Sequence, residues 1–591
     1  MKIGIDFGST YSVISAYNDA EERVEILTLA EDDSASIPSV VSVNRNGKVT
    51  CGKGAKEQMG KRSVRLFEAF KMLLPETNTD MLRKRGYDDI YSPRRVTKDY
   101  LESVLHGILN RYGGDKFEDV VICVPEIWGK NLRTLDGRSI LREILTGKDS
   151  SGTEIADGID IPVGAVRVVT EPEAASAFFA YNYEKETGKN FNGHLLLIDY
   201  GGGTLDITLT EVNSERQGVM EIGYREGGGA GENHPDSGGD GTIGSAGIAF
   251  MQDVVKNAIR NSGIVAEDEY IGYTSPGFAS AVRDLESQLK APDRIKEIED
   301  TFGEYGSYYQ DYEAILEEDP IEFYEIEYND EPIAVTYQQL YASYKNVIEG
   351  VLNEQIKQIN KKVSEHLGSD PTQPEAGARN DFKIALVGGF GSFYLVKKQI
   401  EEIYNIDLND KLDMRTKNIA ANKREQAISL GAALIAAGKI DLQKTARYSI
   451  GIYAPRSDGV YELHYGIKYH QTIEPGRPYF ICNSDTDSDI PANRSTYGRL
   501  NGEIKNFAIE FTERTNHGGL MVLKREMLEQ LKALPEHGFW NCGFSMDESD
   551  IVSFHVVPSH MMKGKNVKPL VIPLGSYSKM FDLTDVKEIF V

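Results

Sequence analysis

Residues 5–15 read IDFGSTYSVIS, and residues 198–208 read IDYGGGTLDIT. In each, an apolar run reaches Ile-Asp-aromatic-Gly, passes through small residues, and resumes with alternating apolar and polar positions. Period-two alternation on both sides of a glycine turn predicts a strand, a tight turn and a second strand. Glycine lets the backbone approach a ligand closely, and successive N–H groups at such a tip form a nest for an anion such as phosphate. An Asp at the strand end can hold Mg²⁺, directly or through water. Asp6 with Gly8, Ser9, Thr10 and Tyr11 is therefore one candidate jaw, and Asp199 with Gly201, Gly202, Gly203 and Thr204 the other. A single glycine turn is an ordinary hairpin; two copies of one core, far apart in the chain, point to a duplicated phosphate clamp.

Around these segments the chain alternates strands and helices. KIGIDFGSTYSVISAYN opens as strand, turn, strand, and short strands follow in ERVEILTLAEDDSASIPSVVSVNRNGKVTCG. From Lys53 to about Tyr112 the pattern is helical, with VTKDYLESVLHGILNRYG a clear amphipathic helix. DVVICVP (119–125) is a fully apolar strand suited to a buried parallel position. A helix around NLRTLDGRSILREIL and a strand, Glu-Pro turn and helix in VRVVTEPEAASAFFAYNY complete an α/β pattern. HLLLIDYGGGTLDITLTEV (194–212) restarts the scheme, a glycine-rich stretch occupies 225–247, and 264–335 is acidic and rich in tyrosine, which reads as a solvated insertion. A long helix over 336–367, the strand FKIALVGG (382–389) and the small-residue helix REQAISLGAALIAAG (424–438) follow. Residues 445–591 are mostly short strands and turns, with one helix around KREMLEQLKAL (524–534), so a domain boundary is expected near 439–446.

Composition narrows the functions. A chain of 591 residues is too long for a single core. It is 40% hydrophobic and 26% charged, as expected of a globular protein. Its formal net charge of −26 argues against nucleic acid as a partner, because phosphate backbones need a basic face. Cys51, Cys123, Cys482 and Cys542 show no paired spacing, which argues against a zinc site or a disulfide framework and fits a reducing cytoplasm. No leader pattern precedes MKIGID, and no apolar run approaches the roughly 20 residues of a membrane helix, so a cytoplasmic protein without membrane insertion is expected. His555 and His560 in HVVPSH have no cysteine or acidic partner at ligand spacing and read as ordinary strand residues.

ALVGGFGS (385–392) is a further apolar strand running into paired glycines, where Gly388 and Gly389 offer backbone to a flat base or ribose. In this order the segments resemble the actin, sugar kinase and heat-shock ATPase superfamily, and within it the heat shock protein 70 family, over about residues 1–440. IDFGSTYS and LLIDYGGGTLDITL are similar to its two phosphate hairpins, VVTEPEAASAFFAY and REQAISLGAALIAAG to its connecting helices, VICVPEIWGKNLRTLDGRSIL to its strand, Val-Pro turn and helix, and IALVGGFGSF to its adenosine turn. The implied fold is α/β: a two-lobed actin-like ATPase built from duplicated ribonuclease H-like domains (lobes about 1–190 and 191–440), followed by a β-rich C-terminal domain (445–591).

The resemblance also implies roles. Asp6 and Asp199 hold Mg²⁺ through water, and Ser9, Thr10 and Tyr11 contact the β- and γ-phosphates. Lys71 in FEAFKMLL matches the family's catalytic lysine, and Glu171 its acidic residue near the attacking water; Asp199, Thr204 and Asp206 orient or deprotonate that water. Gly238 and Gly239 in SGGDGTIGS, with Gly388, Gly389 and Ser392 in VGGFGSF, are similar to glycine-serine versions of the nucleotide turns found in a divergent branch. The sequence departs from the family in three places. Phe390-Gly391-Ser392 stands where Ser-Thr-Arg is usual, SAVRDLESQLKAP lacks the Lys-Arg pair of a Glu-x-x-Lys-Arg helix, and GKIDLQKTARYSIG has no leucine-rich interdomain linker.

The implied activity is slow hydrolysis of ATP to ADP with Mg²⁺, coupled to binding of a protein client or partner through the C-terminal domain, with co-chaperones as possible further partners. Phosphoryl transfer to water needs in-line placement and neutralisation of oxygen charge. Two hairpins on opposite walls supply both only when closed, which makes the nucleotide a switch. A small-molecule kinase of the same superfamily, which would need an acceptor-side aspartate, and an actin-like filament protein are the alternatives; no sugar-binding signature is apparent, and Lys71 and the Glu171 turn favour the chaperone-like branch.

Overall fold

In the computed structural model both quoted segments are hairpins of one plan. The structure describes residues 1–590 apart from 31, 60, 62, 127, 129–135, 150–151, 215–219, 231–245, 267–270, 273–274, 374–380, 409–425, 447–448, 456–460, 469–470, 482–505, 511–516, 523–539, 549–550, 559–568 and 576–586. Strands β1 (Lys2–Phe7), β2 (Tyr11–Asn18), β3 (Arg23–Leu27), β4 (Asp119–Val124) and β5 (Val166–Thr170) lie in the order β3-β2-β1-β4-β5. Strands β6 (Gly193–Tyr200), β7 (Leu205–Asn213), β8 (Met220–Ala230), β9 (Phe382–Val387) and β10 (Ile440–Gln443) lie in the order β9-β6-β7-β8-β10. In both sheets the first strand runs antiparallel to its hairpin partner and parallel to a later, largely buried strand (β4 or β9). The duplication in sequence is thus a duplication of a mixed sheet.

Register decides which carboxylates meet. Asp6 stands opposite Val13, whereas Asp199 stands opposite Asp206. Only the second hairpin carries a cross-strand acid pair.

Five helices position the site: α1 (Pro93–Tyr112), α2 (Glu171–Thr187), α3 (Gly247–Ser262), α4 (Pro276–Lys290) and α5 (Tyr394–Tyr404), with a sixth, α6 (Ala427–Ala436), threading the core. Helix α2 starts directly after β5, where Thr170 and Glu173 form a capping box and Pro172 sits in the first turn. Helix α6 is buried along its whole length. Its Gly431 lies against the backbone of α2, where an added Cβ would stand 2.6 Å from the Ala174 carbonyl carbon and 3.1 Å from the Phe178 nitrogen. Small residues here allow two backbones and a sheet to meet at closest approach.

Two expectations are corrected. The stretch 53–112 is not helical throughout: Val64–Glu68 is a strand paired with Val40–Asn44, and a single 3₁₀ turn, Phe70–Leu73, follows it. The stretch 264–335 is not a solvated insertion. It forms α4, the helix Pro292–Glu304 and the hairpin Glu322–Tyr328/Glu331–Thr336, and it sends Phe278, Phe302, Ile315, Phe323, Ile326 and Ile333 into one core with β6 and β7. Its acidic residues hide a regular apolar period.

Two compact units divide the chain: Met1–Ile127, Val169–Ile222 and Glu226–Asp441 form one, and Trp128–Val168, Gly223–Arg225 and Leu442–Val591 the other. The second unit contains antiparallel strands in the orders Tyr461–Ile467, Ser449–Pro455, Asn506–Glu510, His517–Val522, Lys587–Phe590 and Tyr479–Phe480, Trp540–Met546, Val552–Pro558, Leu570–Gly575. Within that unit, ion pairs Arg142–Asp547 (3.5 Å) and Arg167–Glu548 (3.8 Å) join its early and late segments. The helix expected at 524–534 and His560 lie outside the described residues. His555 accepts or donates a 2.7 Å hydrogen bond with Ser545 across the sheet, an ordinary strand role. Among the described residues no helix is long and apolar enough to cross a membrane.

Candidate functional site

The tips of both hairpins open onto one cleft. It is walled by Gly8, Ser9, Thr10 and Tyr11 from the first, Gly201, Gly202, Gly203 and Thr204 from the second, and Gly388, Gly389 and Ser392 after β9, with Asp6, Lys71, Glu171 and Asp199 at its floor. The hairpins stand face to face: a Cβ added to Gly203 would lie 2.9 Å from Ser9 Oγ, and one on Gly202 would lie 3.1 Å from Thr10 Oγ1.

Each tip is braced from behind. The Ser39 hydroxyl donates to the Gly8 carbonyl at 2.8 Å and the Ser39 N–H to the Thr10 carbonyl at 2.8 Å. In the second hairpin the Gly201 N–H closes the turn on the Thr204 carbonyl at 2.9 Å, and the first N–H groups of α3, at Gly247 and Ile248, donate to the Gly201 and Gly202 carbonyls. Gly388 adopts φ +84° and passes directly beneath Asp199 and Tyr200, a path only glycine follows without strain.

Lys71 is carried by the 3₁₀ turn after Val64–Glu68, entered through Ala69 in a left-handed conformation. It is 3% exposed and pairs with Glu171, the first residue of α2. Burial alone would pull its ammonium down, but the Glu171 and Asp6 charges outweigh burial and hold it above its ordinary value. The carboxylates respond in the opposite sense. Burial, then the Glu171 charge, pushes Asp6 up to about 7. Burial, then Glu171, Asp206 and Asp6, raises Asp199 well above the usual range. Asp206 is raised by burial, Glu171 and Glu126.

Asp206 is fully buried just behind the cleft. One of its oxygens accepts the Glu126 N–H at 2.9 Å, and a side-chain hydrogen bond with Thr204 partly offsets the rise in its pKa. Among the described residues, four buried or half-buried carboxylates (Asp6, Glu171, Asp199, Asp206) thus interact with the Lys71 ammonium. Several carboxylates around one ammonium form a donor set that fits a cation. Among the described residues no three His, Cys, Asp or Glu side chains stand close enough to ligate one ion directly.

The charge cluster has a consequence for stability. In metal- and nucleotide-free protein the Asp6 pKa stands near 7 folded against 3.8 unfolded. The folded state therefore binds the extra proton, and the contribution of Asp6 is full at low pH and lost as pH rises through 7. Partial openness to the cleft screens the effect, so the loss is about 2–3 kcal/mol. Urea melts in EDTA should show Asp6→Asn gaining on wild type from about pH 5 to about pH 8; a gap that narrows over that range contradicts the assignment.

Several residues of the cleft were not anticipated. Glu286, Leu289 and Lys290 of α4, with Met251, Phe390 and Phe393, form its far wall. Lys290 donates to Glu286 at 2.8 Å, and its ammonium lies 4.6 Å from the Tyr11 ring centre, which Lys56 also approaches while donating to the Tyr11 hydroxyl at 2.8 Å. Phe390, in the position where the resemblance expects an arginine nearby, stacks on Phe393 at 5.3 Å. The helical signal of SAVRDLESQLKAP was readable; that its Glu286 and Lys290 reach the cleft was not. Gly238 and Gly239 lie outside the described residues.

No family profile matches the chain. Among curated proteins it is similar to the chaperone protein DnaK of Nitrosopumilus maritimus, 28% identical over 225 residues, 37% of this chain and 30% of that protein. The DnaK of Thermotoga petrophila is 29% identical over 220 residues (37% and 31%), and that of Metamycoplasma hominis 28% identical over 234 residues (39% and 32%). The matched region spans about a third of the length of these relatives. Two mixed sheets of one plan, consistent with actin-like ATPase lobes, and an antiparallel β region after them accompany a distant, partial similarity to the heat shock protein 70 chaperones of the DnaK type.

Proposed function

We propose that the chain binds Mg²⁺–ATP between the two hairpins through residues 1–440, hydrolyses it slowly to ADP and phosphate, and couples nucleotide state to a protein client or partner held by 445–591. The observation that carries this reading is the buried Lys71–Glu171 pair among Asp6, Asp199 and Asp206, beneath two facing glycine hairpins.

In this reading the backbone N–H groups of Ser9–Tyr11 and Gly201–Thr204 cradle the phosphate chain, and Ser9 and Thr10 add hydroxyl donors. The Lys71 ammonium neutralises charge building on the transferred phosphoryl oxygens. Asp206 and Thr204, with Glu171, orient the attacking water, and a carboxylate whose pKa is raised by burial is a competent proton acceptor near neutral pH. Asp6 and Asp199 would hold Mg²⁺ through water, and the ion supplies charge neutralisation at the phosphate oxygens. The base would lie between Gly388–Gly389 and the α4 wall.

The test uses full-length protein with ATP and Mg²⁺ and no acceptor molecule. Slow phosphate release is expected, together with a change of at least about fivefold, roughly 1 kcal/mol, in affinity for a labelled unfolded polypeptide between ATP and ADP. Hydrolysis without any affinity change removes the client-coupling half of the proposal, and no hydrolysis removes the other half.

A further inference from the structure

The cleft wall that follows β9 differs in kind from the phosphate side. Phe390 is half-buried and lines it. Its ring lies nearly parallel to Phe393 (5.3 Å between centres, 12° between planes), meets Phe250 at 5.1 Å and stands perpendicular to Tyr200 at 5.5 Å. Phe250 and Tyr200 are fully buried, and the first turn of α3 presses on the same ring: a Cβ on Gly247 would stand 2.9 Å from it. Three aromatic neighbours and a helix start therefore fix the plane of Phe390. A ring fixed at a cleft wall offers a π surface at little cost in entropy.

The polar groups around it are turned to one another. The Gly388 carbonyl accepts the Gly391 N–H at 3.2 Å, the Phe390 carbonyl accepts the Phe393 N–H at 3.0 Å, and the Ser392 hydroxyl donates to the Gly389 carbonyl at 2.8 Å. On α4, Lys290 donates to Glu286 at 2.8 Å, one turn back on the same helix. Met251 and Leu289 add apolar surface. Adenine and guanine differ in the donors and acceptors on their edges, an amino group on one where the other has a carbonyl. A site built to hydrogen-bond one of them rejects the other by orders of magnitude, whereas apolar surface discriminates weakly. Stacking is weaker still as a filter, because every base has a π face.

We infer that the cleft takes purine nucleotides without choosing between adenine and guanine, the base resting on Phe390 rather than being read at its edge. This rests on the reading that the two hairpins hold the phosphate chain, and it widens the substrate from ATP to the purine nucleoside triphosphates. The test loads full-length protein, in Mg²⁺, with ADP carrying a fluorescent group on its ribose, and displaces it with unlabelled ADP and GDP. The two should compete within about fivefold of one another. Phe390→Leu keeps an apolar side chain and removes the π face; it should weaken both diphosphates at least about fivefold, the lower end of base–aromatic stacking, and leave their ratio unchanged. Phe390→Tyr restores the ring and should bind both within about twofold of wild type. Inorganic tripolyphosphate, which presents phosphates without a base, should bind wild type and Phe390→Leu within about twofold in isothermal titration. A preference beyond about fivefold for either base overturns the inference and leaves the hairpin reading standing. Undiminished diphosphate binding by Phe390→Leu overturns the role of Phe390, as does an equal loss of tripolyphosphate, which would make the residue a packing element of the whole cleft. Failure of the labelled ADP to bind at all removes the hairpin reading, and the inference with it.

Discussion

Replacing Lys71 with alanine is expected to reduce acceptor-free ATP hydrolysis at least about 100-fold, the range seen when one charge-stabilising donor is lost from a reacting centre. The ammonium is 3% exposed and lies at the floor of the cleft, paired with Glu171. In such a site a positive charge acts with little solvent screening, so its removal is felt fully in the transition state. Nucleotide binding should survive within about tenfold, because the backbone N–H groups of the two hairpins remain and supply contacts common to ground and transition states. Stability should move in the same direction as activity: Glu171 would be left buried without its partner, a loss of about 3–5 kcal/mol. Phosphate release, titration with a fluorescent ATP analogue and thermal melts read the three quantities. Lys71→Met, which preserves the aliphatic stem, separates charge from packing. Full hydrolysis in either variant would reduce Lys71 to a structural partner of Glu171.

Gly431→Ala should cost at least about 3 kcal/mol, at the upper end for adding one methyl group, because the obstacle is backbone rather than a movable side chain. The new Cβ would be driven into the Ala174 carbonyl of α2. Helix α6 also presses on β1, where a Cβ on Gly4 would stand 2.6 Å from the Ser429 oxygen, so α6 cannot retreat to make room. Gly350→Ala is the matched control: that helical glycine has nothing within 4 Å of an added Cβ, and the change should be neutral or stabilising by up to about 1 kcal/mol. Chemical denaturation of both variants tests the contrast. Equal stabilities would mean that α2 and α6 are not packed at this distance. Because α2 begins with Glu171, movement there should also disturb the Lys71 pair and lower hydrolysis.

The duplicated hairpins were legible because their information is local. A period-two apolar pattern, an Asp at the strand end and a glycine turn can be recognised within a dozen residues, and both copies are present at 5–15 and 198–208. The Glu-Pro turn and helix start at Glu171 were legible locally, but its role at the site, like that of Lys71, was reached only through resemblance. Lys71 was reached only through resemblance. Its own segment misleads: the apolar spacing between 53 and 112 suggests helix, yet Val64–Glu68 pairs with Val40–Asn44 and hands the lysine to a 3₁₀ turn. Short apolar runs carry no period that separates strand from helix, and here pairing with a distant strand decided the outcome.

The 264–335 stretch shows the complementary limit. Its many carboxylates set the composition, whereas Phe302, Phe323 and Ile333 set the fold, because only the buried face of each element has to be apolar.

Strand–turn–strand units, their duplication, the helix starts and the residue types able to clamp phosphate were written into short stretches of chain, since each follows from backbone sterics and near-neighbour hydrogen bonds. Everything that depended on two distant segments meeting was decided by the tertiary structure. Register set Asp206 opposite Asp199 but Val13 opposite Asp6. Packing sank Lys71 beside Glu171 and raised the surrounding carboxylates, because desolvation and unscreened charge exist only once the chain has closed around them. The same closure brought Glu286 and Lys290 of the SAVRDLESQLKAP helix into the cleft wall.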